Sequence, residues 1–232
     1  MNRILIFLSL FSGLAILLPS CEKNNDDRTV SDQDGNIYHT VTIGTQTWMS
    51  DNLKAIHYND GTPINNIKDN TEWSIAVSGA YCWQSNDTLN REPYGALYNW
   101  FAVQTGKLCP AGWHIPSDDE WTALTEYLGG ADTAASQLKE TGFTHWMYPN
   151  MGATNSSGYS ALPGGYRNNA GSYKRTFTVN GEVMGNFGYW WTSTEADTYK
   201  SLARNMYSDI YRVGELSADK KYGLSIRCLR DN

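Results

Sequence analysis

The chain has 232 residues, enough for one sizeable domain with its own core, a formal net charge of −6, and a heavy ring content of nine tryptophans and fifteen tyrosines. Its lysines and arginines form no cluster larger than a pair such as Lys220–Lys221, so nothing would grip a phosphate backbone, which argues against a nucleic-acid partner. The four histidines (His39, His57, His114, His145) are scattered and no C-x-x-C occurs, which argues against a structural zinc site.

Residues 1–20 read as a secretory leader: Arg3, then an apolar run from Ile4 to Leu18 that ends in small residues and is too short for a comfortable membrane span. "LPSC", Leu18 to Cys21, resembles the lipobox of bacterial lipoproteins, which makes Cys21 the expected acylated N-terminus and the membrane the expected partner at that end. The location this implies is the cell envelope, as an outer-membrane lipoprotein. Residues 21–34 are polar and without apolar periodicity, and read as the lipid anchor followed by a flexible tether. The acidic residues Glu22, Asp26 and Asp27 resemble a surface-export signal of lipoproteins in the Bacteroidota. The folded domain is expected over 35–232.

Within it, Ile37, His39, Val41 and Ile43 alternate as on a strand, and Gly44–Thr45 suits a two-residue type II′ hairpin loop. Residues 94–103, "YGALYNWFAV", are too continuously apolar for periodicity to choose between helix and strand. Ser117 followed by Glu120 is a capping-box pattern, Asp118 and Asp119 favour the positive end of a helix dipole, and Trp121, Leu124 and Leu128 mark one helical face that Gly129–Gly130 ends. The acidic triplet therefore has a complete structural explanation, and His114 is left without a partner. A second helix is expected from a cap at Asp132 to Gly142. Residues 144–173 carry little periodicity and suggest an ordered functional loop or an internal scaffold. The last third reads as strands: "GYWWTSTE", "SLARNMYS", "YRVGELS" and "YGLSIRCLR".

Eight segments, among them "DGNIYHTVTIGTQTWMSDNL", "LCPAGWHIPSDDEWTAL", "ATNSSGYSALPGGYR" and "GLSIRCLRD", resemble in order the motifs of the Fibrobacter succinogenes major paralogous domain, over essentially residues 33–231. Behind it stands a looser similarity to the C-type-lectin-like fold and to formylglycine-generating enzymes. The resemblance implies an α+β domain of two helices, a twisted antiparallel sheet and long ordered loops; fold analogy does not transfer function. It also implies a disulfide between Cys109, before the first helix, and Cys228, on the last strand; the odd count past Cys21 permits one such bond and one spare thiol. Glu92-Pro93-Tyr94 and Tyr148-Pro149-Asn150 each lack one ligand of the calcium-lectin motif, and no cysteine pair of the enzyme type is legible.

No nucleophile elbow, phosphate loop or zinc-protease motif occurs, and no cofactor is implied. Tyr189, Trp190 and Trp191 are consecutive, so on a strand Trp190 faces opposite to the other two. With Trp146, Tyr166 and Arg167 they are the expected aromatic shelf for a sugar ring, although packing could claim any of them. The leading reading is a non-catalytic cell-surface binding or adhesion module for glycans or a partner protein. An enzyme with a degenerate pocket and a structural envelope component are the alternatives.

Overall fold

The computed structural model describes residues 28–174, 176–179 and 182–232; the expected leader, Cys21 and most of the expected tether lie outside them. The first strand, β1 (Thr29–Ser31), falls inside the stretch read as tether and pairs antiparallel with β2 (Ile37–Ile43). Asp32 explains the early start. Its carboxylate accepts from the backbone N–H groups of Asp34 and Asn36, from the Asn36 amide and from the Tyr38 hydroxyl, turning the chain back on itself. Gly44 has a φ of 62° and joins β2 to β3 (Gln46–Met49), as the expected hairpin requires.

The next elements are short: β4 (Asn65–Asn66), α1 (Asn70–Ile75), β5 (Ala80–Trp83), α2 (Arg91–Tyr94), β6 (Ala96–Tyr98) and α3 (Trp100–Val103). The undecided segment 94–103 is thus strand and then helix. Asn99 makes the division, because its side chain accepts from the Ala102 N–H and caps the helix in mid-segment. After β7 (Trp113–His114) comes α4 (Asp118–Tyr127), whose capping box is complete: the Ser117 hydroxyl accepts from the Glu120 N–H and the Glu120 carboxylate accepts from the Ser117 N–H. α5 (Ala131–Leu138) differs from expectation at both ends. Gly130 is its cap, Asp132 sits in its first turn, and Lys139 turns extended, so the helix stops well before Gly142.

The remaining strands are β8 (Tyr166–Arg167), β9 (Tyr173–Lys174), β10 (Thr176–Val179), β11 (Glu182–Gly185), β12 (Phe187–Glu195), β13 (Lys200–Tyr207), β14 (Gly214–Asp219) and β15 (Leu229–Arg230). The α+β class holds, but among the described residues three short α-helices join the two expected ones, and the strands divide into several sheets. Five lie in the order β1-β2-β3-β15-β7, three as β12-β13-β14 and three as β4-β5-β6, with β8-β9 and β10-β11 as separate hairpins. "YGLSIRCLR" is a strand only at its end. Before that it changes partner residue by residue, Gly223 bridging Arg167, Leu224 bridging Tyr98 and Ser225 bridging Trp190, which stitches the sheets together.

Strand β12 divides the core. Tyr189 and Trp191 belong to one buried cluster, with Tyr98, Leu53 and Ile226, and Trp190 to another, with Trp121, Trp48 and Leu138 under α4 and α5. The alternation forced by the pleat is therefore satisfied by apolar packing on both faces.

The long irregular stretch after α5 is a scaffold pinned by buried cations. Lys139, fully buried, donates to the carbonyls of Met151 (3.1 Å), Tyr207 (3.0 Å) and Ile210 (3.1 Å). Burial pushes its ammonium down to about 8, against the opposing pull of Asp209. Arg227 donates to the Tyr159 and Ser160 carbonyls and lies over the Tyr159 ring. Arg167 donates to the carbonyls of Gly171, Ile67, Lys68 and Asp69 between the rings of Trp73 and Tyr173. These side chains supply donors to irregular backbone that has no ladder to satisfy it.

Candidate ligand-binding face

The register of β12, β13 and β14 sets one face of that sheet: Phe187 opposes Tyr207, Tyr189 opposes Asn205, and Asn205 opposes Gly214. Farther along the same face Trp191 and Ala203 are buried, whereas Phe187 and Tyr207 are half-buried where the face leaves the core. Two rings from elsewhere complete a cluster there, Tyr166 on β8 and Tyr222 after β14. Tyr166 lies parallel to Tyr222, with centroids 5.6 Å apart and 3° between planes, and edge-on to Tyr189 at 5.0 Å. Phe187 lies 5.5 Å from Tyr189 and 5.9 Å from Tyr207. Edge-to-face and offset contacts at these spacings are the favoured arrangements of quadrupolar rings.

The Tyr189 and Tyr207 hydroxyls hydrogen-bond to each other at 2.5 Å. Burial, then that hydrogen bond, holds the Tyr189 phenol above the ordinary tyrosine value, with hydrogen bonding to Asn205 working the other way. Burial also raises Tyr166, helped by the neighbouring Tyr222 and Tyr207. The phenols therefore stay protonated at neutral pH, each a donor and an acceptor beside an apolar ring. A cavity of about 250 Å³ adjoins the cluster, lined by Asn205, Tyr207, Ile210, Arg212, Gly214 and Glu215. Its charges already have partners, Arg212 facing Asp132 at 3.5 Å and Glu215 facing Arg204 at 3.2 Å.

Of the six residues expected to form the aromatic shelf, Tyr166 and Tyr189 lie on this face. Trp146, Arg167, Trp190 and Trp191 are each 0% exposed and do not form a surface shelf. The indole N–H groups of the three tryptophans donate to the Ala161 carbonyl, the Asn52 side chain and the Tyr98 carbonyl respectively. The reason is that β12 is covered on both faces, so neither side of the "YWW" run looks outward. Phe187, Tyr207, Tyr222 and Asn205 were not expected. Phe187-x-Tyr189 was a legible alternation, but the partners come from register and from a turn 33 residues beyond Tyr189 in the sequence.

Cys109 and Cys228 form a disulfide, 119 residues apart, and tie the approach to β7 to the strand that pairs with it. Cys82 is free and fully buried, and desolvation pushes its thiol up to about 11, so it is protonated at neutral pH and shielded from solvent. His114 is not partnerless: one ring nitrogen lies 2.6 Å from Asp231 and the other 3.0 Å from Glu120, which leaves neither for a nucleophile. Burial works to lower its pKa, but the hydrogen bonds and charges of Asp231 and Glu120 outweigh it, and the net shift is upward. His57 pairs with Asp34 and His145 with Glu140. Asp118, besides opening α4, pairs with the buried Arg204 at 2.6 Å. Among the described residues no group of three histidine, cysteine, aspartate or glutamate side chains is arranged to hold a metal ion.

The Fibrobacter succinogenes major domain family model matches residues 41–230, and the chain belongs to that family. Comparison with curated proteins and with solved structures returns no match.

Proposed function

We propose that this member of the Fibrobacter succinogenes major domain family is a cell-envelope lipoprotein, acylated at Cys21, whose domain binds glycans through the Tyr166–Tyr222–Tyr189–Tyr207 face without acting on them chemically. The observation that carries the reading is the cluster itself: the half-buried rings of Tyr166, Tyr207 and Tyr222 packed around the buried Tyr189, beside a cavity that Tyr207 lines. A pyranose presents an apolar C–H face edged by hydroxyls, and such a ring-and-hydroxyl surface matches both features at once. Glycan is favoured over a protein partner because each of the four tyrosine rings carries its own hydroxyl and the adjoining cavity is lined by Asn205, Arg212 and Glu215. We read the architecture as C-type-lectin-like, supported by the cystine between the stretch before α4 and the terminal strand. The leader, Leu18–Cys21 and the polar residues after it support the envelope location.

The test is a glycan array probed with the intact chain. Binding to at least one glycan is expected, lost when Tyr166 and Tyr222 are both replaced by alanine. A blank array with folded protein, or turnover of an arrayed glycan, would overturn the proposal. Labelling with radioactive palmitate, abolished by Cys21→Ser, tests the anchor; labelling that survives the substitution contradicts it.

A further inference from the structure

We infer that Asn205 is the specificity-determining residue of this face and that the ligand it selects is a neutral, pyranose-containing oligosaccharide; the inference rests on the glycan reading above. Asn205 lies on the middle strand, flanked in register by Tyr189 on β12 and Gly214 on β14. The first residue of β14 is Gly214. Gly214 is not among the residues of positive φ, so its backbone does not require glycine. Space does. A Cβ at 214 would fall 2.0 Å from Asn205 Oδ1 and 3.1 Å from its Cγ. The amide is therefore laid across the glycine, into the wall of the cavity that Tyr207 also lines.

The amide donates one N–H to the Tyr189 hydroxyl, and its remaining donor and its acceptor lie in one plane, a set that neighbouring sugar hydroxyls complement. With the tyrosine rings fixing one face of the sugar, the amide reads the hydroxyls at its edge. The class is neutral because the cavity's charged side chains already face opposite charges, Arg212 with Asp132 and Glu215 with Arg204. A uronate or sulfate would have to compete with Asp132 for Arg212, the cation in the cavity's lining, and would meet the Glu215 carboxylate there.

Calorimetric titration of the intact chain with cellohexaose, xylohexaose, mannohexaose and hexagalacturonate tests this. At least one neutral hexaose is expected to bind, and more tightly than hexagalacturonate. Asn205→Leu should weaken that binding about tenfold or more, the scale of a lost hydrogen-bonding group in a site built around it. Gly214→Ala, which keeps the amide but displaces it, should weaken binding as well, and Tyr199→Ser on the distant β12–β13 loop should leave it unchanged. Urea midpoints establish that each variant is folded, and Asn205→Asp is the near-isosteric substitute if the leucine variant is not. Binding of a neutral hexaose that stays within twofold in both the Asn205 and Gly214 variants overturns the role of Asn205 and leaves the aromatic face standing. Preference for hexagalacturonate overturns the neutral class. Failure of every sugar to bind the unaltered chain overturns the glycan reading itself.

Discussion

Replacing Cys109 and Cys228 together by alanine removes a cross-link that closes 119 residues of chain. In the chain-entropy model a loop of that length contributes about 5 kcal/mol by restricting the unfolded ensemble. Both cysteines are buried, at 2% and 0% exposure, so their loss also removes packed sulfur from the larger core cluster. Measured disulfides often fall short of the model, and a loss of about 3–5 kcal/mol is the expected result. Since domains of this kind are stable by roughly 5–15 kcal/mol, the variant should be close to unfolding. The assay is urea denaturation followed by tryptophan fluorescence, with both midpoint and m-value extracted. The m-value should rise, because the uncrosslinked unfolded chain exposes more surface. Cys82→Ala is the control: it removes a buried thiol without changing chain connectivity, so m should not move. A loss below about 1 kcal/mol with m unchanged would refute the reasoning.

Other consequences follow from the same contacts. Arg167→Met leaves the carbonyls of Ile67, Lys68, Asp69 and Gly171 without their donor and should cost about 3 kcal/mol or more, with Arg167→Lys recovering only part because lysine lacks the planar fork; equal stability of the methionine variant and the parent in urea would contradict this. Ser117→Ala removes the hydroxyl half of the α4 capping box and should cost about 1 kcal/mol in the same assay; a midpoint unchanged within error would show the cap to be idle. The His114 pKa is raised in the folded state, so its contribution is complete below the unfolded value near 6.5 and is lost as pH rises through the folded value. The urea midpoint of the parent should therefore fall relative to that of His114→Gln as pH rises above 6.5. Parallel pH profiles, or an imidazole NMR titration at or below 6.5, would reject the pairing with Asp231 and Glu120.

What could be read in advance was local. The capping box of α4, the glycine hairpin after Ile43 and the alternation along β12 each depend on residues within a few positions of one another, and each is formed. The cap of α5 was misplaced because Gly130, with a φ of 101°, already turns the chain, so Asp132 enters the first turn as a dipole partner instead. "YGLSIRCLR" has strand-like composition but exchanges partners at almost every residue, and no pattern within it announces that. The binding face failed in the same way. Tyr189 and Trp190 differ only by one step along the pleat and both are buried; that Tyr189 borders the ring cluster while Trp190 packs under α4 and α5 depends on Tyr166 and Tyr222 arriving from elsewhere in the chain. The burial of Lys139, Arg167 and Arg227 was equally hidden: Lys139 falls inside the expected second helix, Arg167 on the expected aromatic shelf and Arg227 in the expected last strand, and none of those local patterns announces a cation that turns inward to hold carbonyls.

Hydroxyl-radical footprinting of the intact chain, with and without a bound glycan, tests most directly whether ligand contacts the tyrosine cluster. Tyr166, Tyr207 and Tyr222 should lose oxidation when ligand is present, while Tyr199 and Tyr127, exposed at 77% and 67% and outside the face, should be oxidised as before. Protection confined to Tyr199, Tyr127 or the exposed Tyr148, with the cluster unchanged, would place the ligand elsewhere and contradict the account.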